Sequence, residues 1–307
     1  MGNPRAGLNP ASRAQTQSAR LGHERARILI TVKTYPNPSL KYDETVCVAG
    51  VRIDRGVPEW IRLYPVRFRN VDEGAQFEKY EVIEVDVAPH GATDSRIESY
   101  RPDQQSIEHI RKIGTKNDWA ERRELIGELR GATTTCALAA AATKNSMNVP
   151  APSLGLIKPI VTAVKVSPGK PWDEDQQRKI ERASQPDLFG EGLRPLEPMP
   201  FEVRYDYRCT EPKCRGHVQK VLDWELGQAG RSWQRKYGPQ AINHIRKRWA
   251  EEMTAAERDL YFFVGNQHQH RGSFSVLGTW WPRRNTEQLS LFRGSHVDDG
   301  GVRPDLQ

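Results

Sequence analysis

The chain has 307 residues, 37% of them apolar, with eight Trp, nine Tyr and eight Phe, too many aromatics for a chain disordered throughout. Its net charge of +7 and pI of about 9.2 favour polyanionic partners, because lysine and arginine neutralise phosphates and release counterions. The longest apolar stretches, such as 136–142, are too short to span a bilayer, and no apolar run follows the N-terminal arginines. The unevenly spaced Cys47, Cys136, Cys209 and Cys214 do not form a secreted disulfide framework, so a cytoplasmic protein without a membrane partner is expected.

Residues 1–27 hold five arginines among Gly, Pro, Asn, Ser and Gln, the make-up of a flexible basic arm. The texture then becomes β-like. Ile28–Val32, Thr45–Val51, Trp60–Tyr64 and Tyr80–Val87 are short runs rich in β-branched or aromatic residues, separated by Gly, Pro, Asn and Asp. Strands in such succession predict a small barrel or sandwich. Asn117–Leu129 has helical spacing, with Trp119, Leu125, Ile126 and Leu129 on or near one face, and Ala137–Ala142 reads as a short helix. Ile160–Val166 is a further strand. Residues 168–200 are rich in proline and charge and read as a linker. Phe201–Tyr207 alternates as a strand does. A Cys-rich turn follows, then helices over His217–Gln228 and Pro239–Trp249 and closing strands over Leu260–Val264 and Phe274–Trp281.

Cys209, Cys214 and His217 have the spacing Cys-x4-Cys-x2-His in a turn carrying Pro212 and Gly216, which can present two thiolates and an imidazole to one tetrahedral ion. Structural zinc is the expected occupant. An iron–sulfur cluster, which takes four cysteines, would need the distant Cys47 and Cys136. The fourth zinc ligand is sought first in His268 or His270, then in Cys136. Asp223 and Glu225, on the expected helix, point apart at i and i+2, and Asp94, Arg96 and Glu98 form a second acidic group; salt-bridged or solvated surface acids are the expectation for both. Walker, nucleophile-elbow and dinucleotide motifs are absent.

Basic and aromatic residues interleave in a way that suits phosphate neutralisation and base stacking. The candidates are Trp60, Arg62, Arg67 and Arg69 in the first half, and Arg231, Trp233, Arg235, Lys236, Arg246, Lys247 and Arg248 in the second.

Beyond Pro282 the chain is polar and aperiodic except for Gln288-Leu289-Ser290-Leu291-Phe292. This pentapeptide resembles the consensus by which bacterial proteins dock on the DNA sliding clamp, Gln-Leu-(Ser/Asp)-Leu-Phe, at all five positions. The resemblance implies that the Gln amide bonds the pocket entrance and that Leu291 and Phe292 fill an apolar pocket. A degenerate copy, Gln185-Pro186-Asp187-Leu188-Phe189, keeps Gln185, Leu188 and Phe189. Two anchors on one chain raise avidity for a multi-site ring when the linker spans the sites. The segment Thr45 to Tyr64, where Cys47-Val48-Ala49-Gly50 precedes Trp60-Ile61-Arg62, resembles uncharacterised bacterial proteins with OB-like nucleic-acid-binding barrels; this implies a small barrel and transfers no catalytic residue.

The expected fold is therefore α+β: a basic arm (1–27), an OB-like β-rich domain with a helical insertion (28–167), a Pro-rich linker (168–200), a zinc-supported α+β domain (201–282) and a tail with the clamp peptide (283–307). The expected function is DNA binding with recruitment to the DNA polymerase III sliding clamp, in replication, repair or genome defence. Two alternatives stay open. One is a metal-dependent nuclease using His268 or His270 with Asp223 and Glu225. The other is a clamp-binding adaptor or inhibitor without DNA contact.

Overall fold

The computed structural model of the chain describes residues 22–39, 43–66, 77–91, 94–144, 149–185 and 195–284. The first half is built from β1 (Glu24–Lys33), β2 (Asn37–Ser39), β3 (Asp43–Arg52), β4 (Glu59–Val66), β5 (Glu81–Pro89), β6 (Ser99–Pro102) and β7 (Glu108–Lys112). Strand β1 pairs with both β3 and β5, β3 with β4, β4 with β6 and β6 with β5, so five strands close into a barrel. The β4–β6 pair is parallel and the other four are antiparallel. Strands β2 and β7 extend the sheet outside the ring. Closure removes the exposed edges that a five-stranded open sheet would carry.

Side chains alternate between two apolar environments. Ile28, Ile30, Val48, Ile61, Leu63, Ile83 and Val85 fill the barrel. Leu29, Val32, Ala49, Val51 and Val82 point outward and are equally buried. With both faces covered, the strand needs apolar residues at every position, which is why Ile28–Val32 shows no polar alternation.

The cover comes from the second half. Its strands are β8 (Leu154–Ile157), β9 (Ile160–Pro168), β10 (Phe201–Arg208), β11 (His217–Lys220), β12 (Tyr261–Gln267) and β13 (His270–Trp280). They form two three-stranded sheets, β11-β10-β9 and β13-β12-β8. Phe263, Leu277, Trp280, Leu154 and Leu156 pack on the outward face of β1 and β3. Gly265 lets β12 approach, since a Cβ there would lie 2.6 Å from Leu277 and 3.0 Å from Leu154. The helices are α1 (Lys116–Ile126), α2 (Thr135–Lys144), α3 (Glu174–Ser184), α4 (Trp224–Tyr237) and α5 (Ala241–Arg246), with α5 running into a π-helical segment over Lys247–Glu252. Helix α4 is latched to the barrel by Tyr35, whose ring stacks on Trp224 and whose hydroxyl accepts from Arg231 Nη1 at 2.6 Å.

The expected α+β chain with an N-terminal barrel is what forms. Differences lie in the boundaries. Strands β8 and β9 fall inside the expected 28–167 unit but pair with β12 and β10. The expected 168–200 linker contains α3, closed by a capping box at Asp173 and Gln176 and anchored by buried Ile180. The helix expected over His217–Gln228 is instead β11 followed by α4, because Asp223 caps the helix by accepting from Glu225 N, leaving His217–Lys220 to pair with β10. Among the described residues, no helix is long and apolar enough to cross a membrane.

If the β13-β12-β8 sheet holds the barrel in this way, Phe263→Ala should cost about 3–5 kcal/mol in urea unfolding. A loss below about 1 kcal/mol, the scale of a surface change, would contradict the packing.

Candidate metal centre

Four side chains from three elements converge. Cys209 lies just after β10, Cys214 in the turn that follows, His217 opens β11 and Cys136 sits in the first turn of α2. His217 Nε2 lies 3.3 Å from Cys136 Sγ, 3.3 Å from Cys209 Sγ and 3.4 Å from Cys214 Sγ. All four donor atoms are within 4.8 Å of one another. Bonds of about 2.3 Å to sulfur and about 2.0–2.1 Å to nitrogen around a tetrahedral ion give S–N edges of roughly 3.5 Å, so this Cys3His group could hold a metal ion.

The surroundings set the group's chemistry. Backbone N–H of Cys209 and Gly216 both donate to Cys214 Sγ, at 3.2 and 3.4 Å. Burial would raise the Cys214 thiol, but these bonds and those from its neighbours hold it below its usual value. Burial together with the two neighbouring sulfurs pushes Cys136 up to about 12. Three thiols this close cannot all ionise without a cation among them. Burial also lowers His217, which favours the neutral imidazole a metal needs. Around the group, Tyr207 lies against the His217 ring, its hydroxyl bonded to Gln219 and Thr135. Thr134 pairs with Glu211 and accepts from Ala137 N, so α2 is fixed to the turn that carries Cys214.

Cys209, Cys214 and His217 thus come together as expected; of the candidates for the fourth ligand, His268 and His270 do not join them and Cys136, placed behind them, does. His268 is half exposed beside Asp94 Oδ1 at 3.4 Å, and His270 is exposed on the β12–β13 turn. Cys136 takes the place. Its sequence signal is the run Thr133-Thr134-Thr135, an N-cap signature that puts the next residue in the first turn of a helix, where thiolates are favoured.

Asp223, Asp94 and Glu98, expected as surface acids, are buried and bonded inside the protein, while Glu225 is exposed. Lys79 Nζ lies 2.9 Å from both Asp223 Oδ2 and Glu225 Oε2. Asp223 precedes the helix and is not part of its repeat, so the two acids reach one ammonium despite their i, i+2 spacing. Burial alone would lower Lys79, but the two carboxylates outweigh it and hold it charged. Arg96 makes a two-pronged contact with Asp94, and both are buried. Glu98, also buried, accepts from Ser153 N, Ser153 Oγ and Leu154 N.

The basic candidates divide. Arg62 is 2% exposed and donates to Cys47 Sγ and to Ser153, so it is not available to a partner. Trp60 is half-buried and packs edge-on against Phe263. Arg231 is taken by Tyr35. Trp233 is half-buried between Trp249 and Arg248, and Arg248 bonds Glu252. Arg235, Lys236, Arg246 and Lys247 are exposed and form no ion pair among the described residues. Stacking of Tyr237 on His244, with ring centroids 3.9 Å apart, holds the end of α4 beside α5. Arg67 and Arg69, the pentapeptide Gln288–Phe292, and Leu188 and Phe189 of the second copy lie outside the described residues. Gln185 is described and ends α3.

A family model described as domain of unknown function DUF8757 matches residues 131–296, more than half of the chain, and one described as DUF8758 matches residues 24–128. The division falls between barrel and second half, and it places Cys136 with the other three ligands. No curated protein matches the chain.

Two outcomes test this geometry. Metal analysis after dialysis should find about one equivalent in the wild type and in His268→Ala, and a large loss in Cys136→Ser, since structural sites need all four ligands. Retention in Cys136→Ser would contradict the Cys3His assignment. Lys79→Met should destabilise the fold by about 3–5 kcal/mol, because it leaves buried Asp223 uncompensated; urea unfolding reads it.

Proposed function

The chain belongs to the DUF8757 family, and we propose that this member is a zinc-supported DNA-binding protein whose tail docks on the DNA sliding clamp. The observation that carries the reading is the set of exposed cations Arg235, Lys236, Arg246 and Lys247, which form no ion pair among the described residues, on α4, α5 and the π-helical segment that continues it. Cations without a carboxylate partner keep their charge for phosphates, and helices fixed by packing present them at low entropic cost.

Zinc suits the Cys3His group because its donors are three sulfurs and one imidazole, a closed set with no position left for water. In this reading the ion is structural. It joins α2 to the β10–β11 hairpin, while the buried aromatics Tyr205 and Tyr207 of β10 support the sheet beneath the basic helices. Closure of five strands with one parallel pair supports an OB-like assignment for the barrel. OB barrels commonly bind oligonucleotides on their second and third strands. Here those strands are β3 and β4, and their outward residues Ala49, Val51, Trp60 and Arg62 are packed under the second half. DNA contact is therefore assigned to the helices. Clamp docking rests on the five-position match of Gln288–Phe292. The nuclease reading has less support, since Asp223 and Glu225 are both engaged by Lys79.

Fluorescence anisotropy with labelled DNA should show salt-sensitive binding. Replacing Arg235, Lys236, Arg246 and Lys247 together by Ala should weaken it and flatten the slope of log K against log salt by about 3, with metal content unchanged. An unaltered slope would contradict the helical interface. Retained clamp binding with no DNA affinity would favour the adaptor. In clamp pull-downs, Leu291→Ala with Phe292→Ala should abolish capture; undiminished capture would refute docking through this peptide.

A further inference from the structure

A cleft of about 450 Å³ opens at the seam between the barrel and the second half. Trp60 and Tyr100 line it from the barrel, Leu138 and Leu154 from the second half, and Ala132 and the exposed Ile97 also border it. Its size and mostly apolar lining suit a small organic ligand, and seams between packed units are common places for one.

The chemistry of its polar lining narrows the class. Glu98 is 5% exposed and lines the cleft. Its Oε1 accepts from two backbone N–H groups, whereas among the described residues Oε2 accepts from Ser153 Oγ alone, at 2.9 Å. A carboxylate oxygen has room for two donors, so one acceptor position on Oε2 is open in a largely apolar setting. The charges bordering the cleft are balanced. Arg52 is held by Glu24 and Asp54, Glu59 pairs with Arg55, and Glu98 is linked to Arg62 through Ser153. Among the described residues a free phosphate finds no uncommitted cation there, and a neutral, flat molecule with an N–H donor fits best.

We propose that this cleft binds a nucleobase carrying an exocyclic amine, its face against Trp60 or Tyr100 and its amine donating to Glu98 Oε2. Uracil and thymine fit poorly, because their N3–H lies between two carbonyl oxygens that would face the carboxylate. The base can belong to a free nucleoside or to an unpaired nucleotide of a DNA strand, and only the second source rests on the DNA-binding reading above.

The test is calorimetric titration of the full chain with adenosine, cytidine and uridine, and with a thymine-only single strand carrying or lacking one adenine. Adenosine and cytidine should bind saturably and at least about ten-fold more tightly than uridine, or the adenine should raise strand affinity by a similar factor. A ten-fold ratio corresponds to about 1.4 kcal/mol. Nucleoside binding points to a free ligand, and an adenine effect on the strand alone points to an extruded base. Ala132→Trp, at an exposed position bordering the cleft, should remove the effect while leaving metal content unchanged, and Glu98→Gln should erase the preference over uridine. The four-cation variant should leave nucleoside binding intact, which separates failure here from failure of the DNA-binding reading. No saturable nucleoside binding together with no adenine effect would overturn the proposal, as would undiminished binding by Ala132→Trp.

Discussion

The structure depends on the contact between the outward face of β1 and β3 and the β13-β12-β8 sheet. Leu29, Ala49 and Val51 from one side, and Phe263, Leu277 and Trp280 from the other, form one buried layer. Each of the large side chains buried there contributes about 1.5–3 kcal/mol relative to exposure. Because of this layer the barrel is covered where a free OB barrel would receive a strand of nucleic acid, and Arg62 and Trp60 serve packing. The same layer creates the seam at which Trp60, Tyr100 and Glu98 border a cleft.

The Cys3His group solves a different problem. The β11-β10-β9 sheet is small, and its hairpin turn is rich in charge. Cys136 ties that turn to α2, a helix that also packs near β8 and β13. A metal there would cross-link distant parts of the second half in the manner of a structural staple. The basic helices α4 and α5 stand on β10 through Tyr205, whose hydroxyl donates to Trp249 O. The Cys3His group, the sheet and the basic helices are thus mechanically continuous, which suits a centre that supports the fold more than one that performs chemistry.

Much of this was legible in the sequence where local signals were strong. The runs at Ile28, Thr45, Trp60 and Tyr80 are strands because their β-branched content and turn punctuation agree. Cys209, Cys214 and His217 lie close enough in sequence for their spacing to imply convergence. What failed was long-range. Nothing near Cys136 says that it meets Cys209, so it stood behind His268 and His270, which are nearer in sequence, as a candidate for the fourth ligand. Arg62 read as a basic contact because a charged residue between Ile61 and Leu63 usually faces solvent; covering its face with β12 reverses that. Lys79 was missed because its value lies in two carboxylates far along the chain.

The central claim of the proposed function is that the phosphate backbone of DNA meets the helices and not the barrel strands. Hydrogen exchange of the full chain with and without a thymine-only DNA strand, which brings no base suited to the cleft, tests it most directly. The account predicts that DNA slows exchange over residues 231–248 and leaves residues 45–64 unchanged. Slowing confined to residues 45–64, with none over α4 and α5, would contradict it.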